Sequence, residues 1–391
     1  NFSMKPKLIR MTTIPLSLEK LLEGQLGYMQ QFFEVTAISA EKERLERYGA
    51  NEGVQTYHVP LTREITPFKD IKAVYRLYKY LRKERPNIVH THTPKAGIVG
   101  MMAAYFAKVP HRLHTVAGLP LLEANGFKRW VLNWVEKLTY RFATGVYPNS
   151  QGLLQIILAE KFAPASKLKV LGNGSSNGID TNYFSAEAFT PERNLQKRNE
   201  LRIPAEDFVY VFVGRIVRDK GINELVEAFV NLQKEITDTS LLLVGPFEND
   251  LDPVSEATKT HIESHDKIIS VGYQTDVRPF LAISDALVFP SYREGFPNVV
   301  MQAGAMHLPA IVSNINGCNE IIKEGKNGTI VEPKNTEMLY HSMLEMVSNK
   351  EKYAILKSNA RSSIVKRYGR KQMWQLIHEE YTTLIATNLK K

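Results

Sequence analysis

Two cations lie close together in the run GRIVRDKGINELVEAF: Arg215 and Lys220, with Gly221 directly after the second. They fall between the end of an apolar run, 208–214 (FVYVFVG), and a helical pattern in which Leu225, Val226, Phe229 and Leu232 recur. Cations so placed can hold a diphosphate, the arginine through two parallel N–H bonds and the lysine as a point charge. A second polar concentration lies in 288–312. There Glu294 and Gly295 occupy a loop, 290–298, between a buried strand at 286–289 and a helix at 299–307, with another apolar strand at 310–312. In an open α/β sheet ligands sit outside the carboxyl ends of strands, and the N-terminus of the following helix favours anions. Gly272 and Tyr273 end a further strand and could line a base pocket. In the first half, His90 and His92 alternate along one strand face. No third metal ligand has convincing spacing, so His92, at the strand end, is expected to line a cleft. Gly118, after the strand 112–116, lets backbone approach a ligand closely.

Strands that end beside one another must position these groups. Residues 7–12 (KLIRMT) and 33–38 (FEVTAI) read as strands flanking a helical pattern over 18–31, a βαβ opening. The first loop, 12–17, has no glycine, so the dinucleotide fingerprint is absent and NAD or FAD is not expected. Residues 69–85 predict an amphipathic basic helix with Ile71, Val74, Tyr75, Tyr78 and Leu81 on one face, packed on the sheet or laid on anionic lipid. Residues 127–142 predict a helix in which Trp130 and Trp134 share a face, suited to a core or to a bilayer surface. Strands are expected at 87–92, 145–149 and 169–171, and the polar loop 172–178 closes the first part. In the second half, 208–214, 240–246, 268–272, 286–290 and 310–312 give about six parallel strands. The segment 338–391 reads as helical, with Met373, Ile377, Tyr381, Leu384 and Ile385 on one face of its last helix.

A chain of 391 residues, 43% hydrophobic and 23% charged, fits a two-domain globular protein. No apolar run approaches the ~20 residues that span a bilayer. The lone Cys318 excludes an internal disulfide framework and a thiolate zinc cluster, which favours a reducing, cytoplasmic setting. Asn1-Phe2-Ser3 before Met4 resembles a vector-derived remnant rather than a signal peptide. Residues 1–185 hold 25 Lys+Arg against 14 Asp+Glu, whereas 186–391 hold 25 against 27. A basic first half suits a phosphorylated or membrane-surface partner as well as a solubilising surface; nucleic acid is not an expected partner.

Taken together, VFVGRIVRDKGINELVEAF, LVGP, VGYQTDV, SDALVFPSYREGFPNVVMQAGAM and GCNEIIKEGKNG, in that order over 205–335, resemble the retaining glycosyltransferases of family 4. Over 4–185 the similarity rests on IVHTHTPKAGIVG, HTVAGLP and VLGNGSSNGID. The family includes bacterial capsule, O-antigen and lipid-linked oligosaccharide enzymes. The resemblance implies an α/β GT-B fold, two Rossmann-like parallel-sheet domains facing across a cleft. Residues 4–185 would bind acceptor and 186–365 the nucleotide sugar, with the helix in 366–391 crossing back. It implies that Arg215 and Lys220 clasp the donor diphosphate and that Glu294 holds the donor sugar. Further donor contacts would come from Gly214, Gly272, Tyr273, Gly295, Phe296, Pro297, Asn298 and Gln302. His92, His114 and Gly118 would lie on the acceptor side.

The donor implied is a UDP-sugar, with no metal and no other cofactor. The acceptor is a saccharide on a polyprenyl diphosphate at the inner membrane face, where the enzyme could make peripheral contact. Two positions depart from the family. Gln302 stands where a second glutamate is usual, and a neutral acceptor gives a weaker hydrogen bond to ribose hydroxyls. Ala117 stands where a histidine often precedes the glycine. These departures keep a non-catalytic sugar-nucleotide-binding or scaffolding role open as the alternative. A phosphorylase-like or epimerase-like reading lacks its expected lysine or acid/base set.

Overall fold

Short apolar runs bounded by glycine, proline and polar residues become parallel strands when helices cover both sheet faces. In the computed structural model they build two α/β units, Asn1–Gly178 with Arg370–Lys391, and Ile179–Gly369. Residues 5–64, 66–248, 250 and 252–388 are described. The Asn1-Phe2-Ser3 reading and the last three positions of the 338–391 pattern lie outside them.

The first unit holds β1 (Lys7–Met11), β2 (Glu34–Ser39), β3 (Gln55–His58), β4 (Ile88–His92), β5 (His111–Val116) and β6 (Gly145–Pro148) in the order β3-β2-β1-β4-β5-β6. The second holds β7 (Phe208–Val213), β8 (Thr239–Val244), β9 (Ile268–Ser270), β10 (Ala286–Phe289), β11 (Ala310–Ser313) and β12 (Gly328–Val331) in the order β12-β11-β10-β7-β8-β9. All neighbours are parallel. Both sheets start at a central strand, grow to one side, then cross to the other. Each therefore has a switch point, between β1 and β4 and between β7 and β10, where diverging loops open a crevice.

The structure redraws parts of the sequence reading. The 18–31 pattern is two helices, Pro15–Leu21 and Gln25–Met29, broken at Gly24 with φ 74°. Residues 169–171 form no strand; Val146 and Leu168 make only an isolated bridge. β3 and β12, short and half-exposed, lacked the apolar run that would have marked them. The basic helix is Pro67–Glu84, and its buried stripe is Ala73, Leu77 and Leu81 rather than the face through Ile71 and Tyr75, both exposed. It packs beside Pro94–Phe106, a helix rich in Ala and Gly. The helix Gly126–Phe142 likewise exposes Trp130 and Trp134.

The last helix, Arg370–Asn388, supplies Met373, Ile377 and Tyr381 to the first unit's core, against Leu8, Val35 and Ile88. Tyr381 is 1% exposed, and its hydroxyl lies 2.5 Å from His90 Nδ1. On the opposite sheet face, Glu136 is buried and its Oε2 has no hydrogen-bond partner.

Burial pushes the Glu136 carboxyl up to about 7, against a smaller lowering by Tyr140. Its folded value lies above the unfolded one, so the native state binds this proton more tightly. The associated stability is full below the unfolded carboxyl value and is lost as pH rises through about 7. Glu136→Gln should therefore raise the melting temperature at about pH 8, by an amount equivalent to roughly 3 kcal/mol at most, and change it little at about pH 4. An equal shift at both pH values would contradict this assignment.

Candidate active site

The second unit's switch point is built by two loops that lock together. β7 runs through Gly214 into Arg215 and a 3-10 turn, Arg218–Lys220, before the helix Ile222–Gln233. Gly221 between turn and helix has φ 73°, and a Cβ there would come within 2.1 Å of the Pro290 carbonyl oxygen. Only glycine lets the first loop lie this close to the loop after β10. Tyr292 N donates to Asp219 O at 2.8 Å, and Arg293 reaches Asp219 Oδ2 at 3.1 Å.

This contact brings Lys220 to Glu294 across 74 positions of chain. Lys220 Nζ donates to Glu294 Oε1, both side chains are largely buried, and Ser291 Oγ donates to the same carboxylate oxygen at 2.8 Å. The Glu294–Gly295 backbone is held by Asn316, whose Nδ2 donates to Gly295 O at 2.7 Å. Gly317, φ 76°, packs so closely that a Cβ would sit 2.5 Å from that oxygen. Pro297 caps the helix Asn298–Ala305. Phe296 turns its ring to Tyr368, centroids 5.4 Å apart, so its side chain is spent on packing. Gln302 is half-buried on the helix. Beneath the loop, the Cys318 thiol is pushed up by burial and then by the Glu294 charge.

Arg215 also has a carboxylate partner, Glu248 Oε2 at 2.7 Å. That hydrogen bond chiefly raises its guanidinium above the ordinary value, with smaller contributions from the charges of Asp219 and Glu294. Each expected phosphate-binding cation thus carries an acidic placeholder. Glu248, Asp219, Ser291 and Asn316 were not singled out from sequence. Glu248 follows β8, the strand next to β7, and that adjacency is the signal that could have found it. At the end of β9, Gly272 has open space where a Cβ would stand, and Tyr273 is exposed.

In the first unit, His92 and His114 do not converge. Paired parallel residues share a sheet face, and β5 pairs Thr115 with His92 but His114 with Thr91. His92 stacks on His90 at 4.5 Å and receives a 2.9 Å bond from Arg10. His114 sits on the other face, bonded to Thr91 Oγ1 at 2.8 Å and pressed against Gly97, and burial pushes it down to about 4. Gly118 has open space where a Cβ would be. Among the described residues no group of three or more His, Cys, Asp or Glu converges as a metal site.

Thr93, which sequence patterns did not flag, begins the helix after β4 at φ 72°, ψ 145°, a region essentially reserved for glycine. Its hydroxyl meets Thr13 Oγ1 at 2.8 Å and accepts from Thr13 N at 3.2 Å, linking the two loops at this sheet's switch point.

The family profile described as "Glycosyl transferases group 1" matches residues 194–363, and that of "Glycosyl transferase 4-like domain" matches 25–174. The capsular polysaccharide biosynthesis glycosyltransferase CapM of Staphylococcus aureus is 28% identical over 97% of this chain and 97% of its own. The UDP-Gal:alpha-D-GlcNAc-diphosphoundecaprenol alpha-1,3-galactosyltransferase of Escherichia coli is 30% identical over 90% of each chain. The crystal structure of Anabaena HepE in complex with UDP superposes with a TM-score of 0.81 at 19% identity, over 96% of this chain and 100% of that one. With two parallel-sheet units of one topology, a cationic switch point in the second, and these relatives spanning its length, the chain belongs to the group 1, family-4-like glycosyltransferases of the GT-B fold.

Proposed function

We propose that this glycosyltransferase moves a hexose or N-acetylhexosamine from a UDP-sugar, with retention of anomeric configuration and without a metal, to a sugar carried on a polyprenyl diphosphate. The observation that carries the reading is the Lys220–Glu294 pair at the switch point between β7 and β10, with Arg215 on the adjoining turn. Support for the donor and acceptor classes comes from the Escherichia coli relative, whose name contains both UDP-Gal and a diphosphoundecaprenol-linked acceptor.

In this mechanism the donor diphosphate takes Arg215 from Glu248 and shares Lys220 with Glu294. The two cations neutralise the charge that grows as the bond from the sugar C1 to the phosphate oxygen breaks. Released in part from Lys220, the Glu294 carboxylate accepts hydrogen bonds from the donor-sugar hydroxyls. The acceptor hydroxyl adds to C1 on the face the diphosphate leaves, and its proton passes to the departing phosphate oxygen. Front-face attack needs no enzymic nucleophile. Gly214, Gly295 and Asn298 supply backbone near the phosphates, Gly272 and Tyr273 border the base, and Gln302 accepts from the ribose. Gly118 serves the acceptor side, whereas His92 and His114, expected there from sequence, are both buried and act by packing and by holding their neighbours.

UDP release and labelled-product formation, screened across UDP-sugars and lipid-linked acceptors, test this reading. Arg215→Met and Lys220→Met should each lower kcat about 10²–10³-fold, the loss of ~2.7–4 kcal/mol typical of removing one preorganised charge contact. EDTA should leave the rate unchanged. Full transfer by Glu294→Ala would remove Glu294 from the mechanism, and hydrolysis or binding without transfer to any acceptor would favour the non-catalytic alternative.

The same reading assigns the first unit a peripheral contact with anionic membrane. No described helix is long and apolar enough to cross a bilayer. Instead, Phe68, Ile71 and Tyr75 form an exposed stripe on Pro67–Glu84, and Phe127, Trp130 and Trp134 form one on Gly126–Phe142. Phe68 and Phe127 are 85% and 78% exposed, unusual for surface residues without a partner. Lys72, Arg76, Lys79, Lys128 and Arg129 accompany them, the composition of helices that lie in a lipid interface. Vesicles containing anionic lipid should bind the protein in low salt and neutral ones should not. Phe127→Ser with Trp130→Ser should weaken that binding roughly tenfold. Equal sedimentation with both vesicle types would overturn the membrane assignment.

A further inference from the structure

Among the described residues, the first unit buries a cation that no carboxylate answers. Arg10, on the central strand β1, is 0% exposed. One of its terminal nitrogens lies 2.9 Å from His92 Nε2, while Nε and Nη1 have no hydrogen-bond partner among the described residues. An arginine does not deprotonate in a protein, so the charge persists in the core. The surroundings are neutral or repelled by it. His90 and His92 are held well below the usual histidine range, by burial first and then by neighbouring positive charge, Arg10 included. Tyr381, whose ring lies 5.9 Å from the guanidinium carbon, is pushed up to about 12 by burial and stays a phenol. The nearest helix carboxylate in sequence, Glu380, is committed to Tyr147 and Lys169.

Beside Arg10 lies a cavity of about 20 Å³, bordered also by His92, Thr115, Asn149, Ser176 and Met373. Asn149 Oδ1 and Ser176 Oγ in this wall are buried and unpartnered as well. That space admits a single small guest. Ser176 can turn its hydroxyl hydrogen inward, and Asn149 presents its NH2 once its amide is rotated by half a turn. A buried cation with unsatisfied donors that borders such a space calls for a guest that accepts hydrogen bonds and carries negative charge. A buried charge is tolerated when paired and hydrogen-bonded, and is costly otherwise.

We propose that this cavity is a binding site for one small monovalent anion of chloride size, held by the Nε and Nη1 hydrogens of Arg10. The anion completes the cation's coordination beneath β1 and β4. It leaves the Arg10–His92 bond in place, and that bond fixes His92 with Nε2 as acceptor and its hydrogen on Nδ1. Because the site lies in the first unit's core, the proposal stands or falls apart from the assignment of the donor site.

Crystals of the full chain soaked in sodium bromide should show an anomalous peak in the cavity, at hydrogen-bond distance from the Arg10 guanidinium. In solution, replacing gluconate by chloride at constant ionic strength should raise the melting temperature saturably, by about 2–4 °C. Arg10→Met should abolish both effects. Should that variant fail to fold, the bromide map and the chloride titration of the native chain decide the matter. Water without anomalous signal in the cavity, together with equal melting temperatures in the two salts, would overturn the proposal.

Discussion

The ion pair between Lys220 and Glu294 is the interaction on which the second unit's site depends. Its two partners come from loops at the ends of β7 and β10, adjacent strands separated by a long stretch of chain. What lets these two loops meet is steric, Gly221 against the Pro290 carbonyl, while Gly317, on the loop after β11, packs against the Gly295 carbonyl from the other side of the β10 loop. Both side chains are mostly withdrawn from water, so each is costly without the other. A ligand with its own negative charge can replace one partner without leaving the lysine unpaired. The pair therefore leaves neither buried charge unanswered at the switch point.

The two sheets solve the same topology with different fillings. At the second switch point stand charged side chains in exchangeable pairs, Arg215 with Glu248 and Lys220 with Glu294. At the first stand two threonines, Thr13 and Thr93, bonded through their hydroxyls, with Arg10 buried below. Thr93 keeps a backbone conformation that costs of order 1–3 kcal/mol for a residue with a Cβ, and such strain gathers at functional positions. One Rossmann-like plan thus presents paired charges at the switch point of one unit and bonded hydroxyls above a buried cation at that of the other.

Much of this was legible in the sequence because parallel strands are buried on both faces and read as apolar runs. The run FVYVFVG became β7, ALVF became β10, and Arg215, Lys220 and Glu294 fell at their carboxyl ends as expected. What pattern could not give was which of two apolar stripes a helix buries. On Pro67–Glu84, Leu77 and Leu81 face the Ala- and Gly-rich neighbouring helix, and Ile71 and Tyr75 are left outside. The acidic partners were equally hidden. Glu248 matters only because β8 lies beside β7, a fact of topology rather than spacing. His92 and His114 were both acceptor-side candidates, and only the register shows that they lie on opposite sheet faces.

If Lys220 and Glu294 are paired placeholders at a donor-diphosphate site, equilibrium binding of UDP must respond in opposite ways to the loss of each. Calorimetric titration with UDP and with a UDP-sugar would compare the native chain with Lys220→Met and Glu294→Gln. Lys220→Met should lose about 10- to 100-fold in affinity, the value of a charge-assisted hydrogen bond, whereas Glu294→Gln frees the lysine and should bind UDP at least as tightly as before. Glu294→Gln should also lose the preference for the UDP-sugar over UDP. Native-like UDP affinity in Lys220→Met would contradict the account.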